Sequence, residues 1–202
     1  MRVTACLLMI SLCVSAQNPK PSKSKPFPIP SGMQEYWRGA DLSNADQTLL
    51  DKAIEADLAD LEKHCEDKYK SKPVSVDLAV ASLGKFGKGV FVRMSGSCMC
   101  GATGNCPIYV YIREKDRFRA VLSDDSQQPD GWSFAVATSK SLIPDIILAS
   151  NPGGGMVALT LYRYVGNKYV SRACETLTKK EGQESKSWWD PSAVIVRPCG
   201  SD

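Results

Sequence analysis

The sequence predicts an α+β fold, mostly antiparallel β, with one N-terminal helix packed on two four-stranded, repeat-like sheet units. Three observations predict it. Residues 43–70 carry an apolar stripe at helical spacing. From Val74 onward the pattern changes to short runs of β-branched and aromatic residues separated by turn formers. Between two such runs, the stretch Cys98-Met99-Cys100-Gly101-Ala102-Thr103-Gly104-Asn105-Cys106 concentrates cysteine, as a disulfide-stapled fold would.

Residues 1–16 read as a signal peptide. Arg2 supplies the charged start, and Val3 to Val14 is mostly apolar yet too short to cross a membrane. Val14-Ser15-Ala16 presents small residues, so cleavage is expected before Gln17. Cys13 raises the alternative of a lipoprotein, which Leu12 opposes where Gly or Ala would be needed. No later run is apolar enough for a membrane span. Residues 17–31 are rich in proline and lysine and read as an extended linker. Such a linker is a spacer or a basic tether to an anionic envelope surface. Residues 32–202 then form a single disulfide-bonded domain, with β repeats at 76–121 and 133–173 and a tail at 175–202. The net charge of +3, with acids and bases interspersed, gives no case for a nucleic-acid binder. A monomer without a cofactor is expected.

In the helix, Ser43 is placed to N-cap and Asp46 lies in the first turn. Leu50, Ile54, Leu58, Leu61 and Cys65 share one face, and Asp51 and Asp57 border it on either side. Pro73 follows the expected end. Cys65 on the stripe faces the rest of the fold, so it is expected to bond a sheet cysteine. His64 lies one residue off the stripe and is the only histidine. No Gly-x-Ser-x-Gly elbow accompanies it, which leaves no Ser–His–Asp triad to build.

The β region repeats weakly. Leu78-Ala79-Val80-Ala81-Ser82 matches Phe134-Ala135-Val136-Ala137-Thr138, and Val90-Phe91-Val92 matches Ile146-Ile147-Leu148 without a gap. Val110-Tyr111 then matches Leu161-Tyr162, and Arg117-Phe118 matches Lys168-Tyr169. Each copy reads strand, loop, strand, insert, strand, tight turn, strand. The inserts differ: the cysteine nonapeptide in the first, Ser150-Asn151-Pro152-Gly153-Gly154-Gly155 in the second. Two such units make a sandwich, a curved sheet or two adjacent blade-like sheets. The stretch Leu83-Gly84-Lys85-Phe86-Gly87-Lys88-Gly89, where a blade would carry a calcium loop, has no carboxylate to bind one.

Once the leader is removed with Cys6 and Cys13, the cysteines are Cys65, Cys98, Cys100, Cys106, Cys174 and Cys199. Six cysteines allow about fifteen pairings. Cys98 and Cys100, two apart on an extended chain, sit about 7 Å from each other and do not bond easily. Cys100 and Cys106 enclose small, turn-forming residues and are the favoured pair. Cys174 and Cys199 are expected to pin the tail, which is worth about 3–4 kcal/mol in the chain-entropy model. Rival readings use Cys98, Cys100 and Cys106 for zinc with His64 or Cys65, or as a redox pair.

Cys100-Gly101-Ala102-Thr103-Gly104-Asn105-Cys106-Pro107, then Ile143-Pro144-Asp145-Ile146-Ile147, then Tyr162-Arg163-Tyr164-Val165-Gly166-Asn167-Lys168-Tyr169 are the motifs that carry a likeness. Over residues 74–174 the chain resembles a group of exported bacterial proteins with a Cys-Gly-x-x-Gly-Asn-Cys loop. The resemblance implies an exported domain and no known activity, so it transfers no functional residue.

The leading expectation is a secreted or periplasmic, non-enzymatic binding module for a protein or glycan of the envelope. Its expected binding residues are Thr103, Asn105, Tyr109 and Tyr111 around the nonapeptide, with Trp188 as a stacking surface. Trp188 and Trp189, read as strand neighbours, point to opposite sides. The alternative is a hydrolase using carboxylates such as Asp124, Asp130 or Asp145. Asp124, Asp125 and Asp130 otherwise read as a solvated loop or a weak cation site.

Overall fold

Ser43 starts the helix as the sequence predicts. Its Oγ accepts a hydrogen bond from the Asp46 backbone N–H at 3.1 Å and donates to Asp46 Oδ2 at 2.9 Å, satisfying one of the free N–H groups of the first turn. Helix α1 then runs Asn44–Tyr69. Leu50, Ile54 and Cys65 of its stripe are buried, with Leu58 and Leu61 half-buried beside them. The structure is a computed structural model and describes residues 27–30, 33, 37, 41–69, 74–96, 98–100, 102–123, 130–137 and 141–200. The expected signal peptide and most of the expected linker lie outside the described residues.

Two antiparallel meanders follow. The first is β1 (Ser75–Ser82), β2 (Lys88–Ser95), β3 (Cys106–Glu114) and β4 (Arg117–Leu122), adjacent in chain order. A short strand β5 (Asp130–Gly131) returns to β3 at Cys106 and Pro107. The second is β6 (Ser133–Ala137), β7 (Asp145–Gly153), β8 (Met156–Val165) and β9 (Lys168–Lys179), extended by β10 (Val194–Pro198) on β9. The sequence ends the second unit at 173, whereas β9 continues to Lys179. Thr176, Leu177 and Thr178 there pair with β8 on one side and β10 on the other.

The chain changes sheets at Trp132, whose N–H donates to Ala149 O at 3.0 Å. Gly131 precedes it because the sheets meet there: a Cβ would lie 2.6 Å from the Ala149 oxygen.

The two units stack face to back. Leu78, Val80, Val90, Val92, Tyr111 and Phe118 face α1. Their matched positions Phe134, Val136, Ile146, Leu148, Tyr162 and Tyr169 face the first sheet instead. The reverse faces follow the same rule: Ala79, Phe91 and Val110 lie between the sheets. Ala135, Ile147 and Leu161 lie on the far side of the second sheet, under Phe27, Ile29, Met33, Trp188 and Trp189. Helix α1 therefore covers the first sheet as the first sheet covers the second. Phe91 and Phe134 stack at 3.9 Å across the central layer. Both faces of each sheet are buried, which is why β2, β3 and β7 read as nearly continuous apolar runs rather than alternating ones.

Candidate functional site

Among the described residues three disulfides form: Cys65–Cys98, Cys100–Cys106 and Cys174–Cys199. The first clamps the C-terminal half of α1 to the β2–β3 insert, and the second closes the nonapeptide loop. With their sulfurs bonded to each other, Cys98, Cys100 and Cys106 are neither thiols nor metal ligands. Among the described residues, no three His, Cys, Asp or Glu side chains gather as a metal site.

The residues expected to bind around the nonapeptide differ in exposure. Thr103 is exposed at the loop tip, and Gly104 takes the φ of +78° that the closed loop requires. Asn105 turns inward: its Nδ2 donates to Asn151 O at 2.9 Å, and its Oδ1 accepts from Asn151 N at 2.7 Å. Tyr109 and Tyr111 are 7% and 2% exposed, buried under α1 in a cluster against which Cys98 and Met99 of the nonapeptide also pack. Tyr111 donates its hydroxyl to Asp57 Oδ2 at 3.3 Å. Burial first, and the Asp57 charge second, hold that phenol far above its ordinary range, so it stays protonated as a donor.

Trp188 is half-buried, with Lys179 Nζ 4.9 Å from its ring centre. Trp189 packs on Trp132 at 5.6 Å. The two tryptophans occupy a turn rather than a strand, so both pack on one side, where strand alternation would have separated them. Asp145 is tied to Arg163, whose Nη2 donates to Oδ2 at 2.8 Å and Nε to Oδ1 at 3.1 Å. Asp124, Asp125 and the side chains of Asp130 and His64 lie outside the described residues.

A concave feature lies elsewhere, between α1 and β1. A groove of about 780 Å³ runs there. Its floor is Ile54, Leu58, Val76 and Leu78, and Asp51, Glu55 and Glu62 of α1 form its rim with Lys52. The helix is held on its opposite flank. Arg113 Nε on β3 meets Asp46 Oδ1 at 2.8 Å, and the Tyr111–Asp57 bond follows along the helix. The Arg113 and Ser43 hydrogen bonds draw the Asp46 carboxyl below its ordinary range. Held toward β3 in this way, α1 leaves the flank over β1 open. β1 is also a sheet edge: among the described strands, only β2 pairs with it. Groove and free edge lie side by side, and the Cys65–Cys98 clamp fixes the helix that walls them.

The sequence contained part of this site. Asp51 borders the apolar stripe, and Glu55 and Glu62 continue its flank at helical spacing. That β1 ends the sheet, with this flank over it, depends on strand order, which no local pattern encodes.

No protein-family model, no curated protein and no solved structure matches the chain.

Proposed function

We propose that the chain is an exported, non-enzymatic binding module that receives an extended, basic and apolar segment of a partner protein in the α1–β1 groove. The observation that carries this reading is the placement of an apolar groove with an acidic rim directly along a strand edge that no other described strand pairs. A strand added to β1 satisfies the edge's free backbone groups and supplies affinity without regard to sequence. Side chains on one face of that strand enter between Ile54, Leu58, Val76 and Leu78. Lysine or arginine at the rim meets Asp51, Glu55 and Glu62, which adds attraction and steers encounter. Three disulfides suit export to an oxidising compartment. They also reduce the ordering needed on binding, because the helical wall is already held.

A synthetic peptide alternating valine and lysine, set against its valine–glutamate counterpart, tests the reading by titration calorimetry. The lysine peptide should bind and the glutamate peptide should not. In a chain carrying Asp51→Lys with Glu55→Lys, the preference should reverse. Failure of both peptides to bind, or a preference indifferent to the charge swap, would refute the groove as the site.

A further inference from the structure

We infer that the end of the molecule opposite the nonapeptide docks on an anionic lipid surface. Strand direction brings four turns to that end: 83–87, 115–116, 141–144 and 166–167. They hold one another. Lys85 N–H donates to Leu142 O at 3.0 Å, Arg119 Nη1 donates to Asn167 O at 2.7 Å, and the Phe86 ring lies 5.0 Å from that of Tyr164. Gly84 has a φ of +62°, and a Cβ there would lie 2.1 Å from Leu142 O. The tip that carries Leu142 is thus seated on the neighbouring turn by its backbone, while its side chain points away.

Leu142 is 79% exposed and Val165 42%, which makes them the most exposed large apolar side chains among the described residues. Exposed Lys85, Lys88 and Lys115 stand on these turns and at the strand start beside them. Among the described residues, the nearby acids are mostly engaged by arginines. Glu114 is shared between Arg117 and Arg119, Asp46 beside Lys88 is paired with Arg113, and Asp145 is held by Arg163, which leaves Asp116 among the described acids of these turns.

A projecting leucine at an end that carries exposed ammonium groups matches the boundary of an anionic bilayer. The apolar side chain enters the acyl edge, and the lysines remain among the headgroup phosphates, their stems lying along the surface. A soluble acidic polymer would meet the lysines equally well but would give Leu142 nothing to enter. The exposed leucine therefore favours lipid. This surface is distinct from the α1–β1 groove and leaves that groove open to solution.

The test is co-sedimentation of the disulfide-bonded, exported protein with phosphatidylcholine vesicles, with and without phosphatidylglycerol. Binding is expected only with phosphatidylglycerol, weakening as salt screens the lysines. Leu142→Ser should weaken it about tenfold, and Lys85→Ser should weaken it about fivefold. Glu55→Lys, in the groove, should not weaken it. Both test residues are exposed, and an unchanged circular dichroism spectrum verifies their fold. Absence of binding to the anionic vesicles would overturn the inference. So would binding that neither Leu142→Ser nor Lys85→Ser alters, since contact would then be made elsewhere on the chain. Binding that depends on Lys85 but not on Leu142, and that dextran sulfate competes away, would assign the surface to acidic polymers and equally overturn it.

Discussion

The Asn105 carboxamide closes both hydrogen bonds of a ladder rung against the backbone of Asn151, donating from Nδ2 and accepting at Oδ1. A side chain here does what a strand residue would do. Asn151 passes the order on, its own Oδ1 accepting from Gly153 N at 2.9 Å in the turn between β7 and β8. The two inserts that distinguish the repeat copies are thereby joined to each other. One is the Cys100–Cys106 loop, and the other is the glycine-rich turn.

Asn105→Ala removes both bonds and leaves the Asn151 amide and carbonyl half-buried without that partner. The expected loss of stability is about 1–3 kcal/mol. Hydrogen exchange at the Asn151 amide should accelerate more than exchange in the centre of β3. Asn105→Asp should not rescue the site, since it keeps an acceptor but sets a carboxylate against the Asn151 carbonyl. Unchanged exchange at Asn151 in the alanine variant would mean that the rung carries no load.

The disulfides are expected to differ in effect because they close loops of different size. Cys65 and Cys98 are 33 residues apart, and Cys100 and Cys106 are 6 apart. In the chain-entropy model, replacing the first pair by alanine costs about 4 kcal/mol and the second about 2 kcal/mol. Denaturant unfolding measures both. Loss of Cys65–Cys98 should also admit proteolysis in the C-terminal half of α1 and weaken the valine–lysine peptide, because the groove loses a fixed wall. Equal destabilisation by the two double variants, with no new cleavage in α1, would contradict the clamp.

Glu175 sets a pH dependence of opposite sign to the surface carboxylates. Its side chain is buried on β9, with Phe27 N–H donating to Oε1 at 2.8 Å. Among the described residues Oε2 has no hydrogen-bond partner. Burial holds the carboxyl above its ordinary range, partly offset by the Phe27 bond. A group whose pKa is raised by folding contributes stability that is fully present below its unfolded pKa and lost as pH rises through the folded one. Asp46 and Glu114 are lowered, chiefly by hydrogen bonds from Arg113 and Arg119, so their contribution is lost as pH falls. The difference in Tm between Glu175→Gln and the parent isolates the buried group. Glu175→Gln should gain relative stability as pH rises from about 4 to about 8. A difference independent of pH would show that Glu175 is not ionising there.

Much of the architecture was legible in local pattern. Ser43, the stripe from Leu50 to Cys65, and the small residues between Cys100 and Cys106 each encode a short-range event: a cap, an amphipathic face, a closed loop. The match of Leu78–Ala81 with Phe134–Ala137 corresponds to equivalent strands, β1 and β6, while Thr138 lies outside the described residues. The burial of Tyr109 and Tyr111 was not legible, because Ile108-Tyr109-Val110-Tyr111-Ile112 is buried on both faces of β3. Where both faces are apolar, a period of two carries no information about which side meets solvent. A tyrosine hydroxyl that suits a surface equally suits a buried partner such as Asp57.

The sequence by itself determined the elements, because caps, turns and amphipathic spacing act within a few residues. It also determined the favoured short disulfide, since the chain between Cys100 and Cys106 can reach no other arrangement so cheaply in entropy. Tertiary structure alone decided that the sheets stack face to back, that Asn105 joins the two inserts, and that α1 leans toward β3 and leaves β1 open. It alone also decided that Leu142 projects from a basic end. Those outcomes depend on which apolar faces find each other across long stretches of chain. That choice is settled by the combined burial of many side chains rather than by the conformational preference of any one segment.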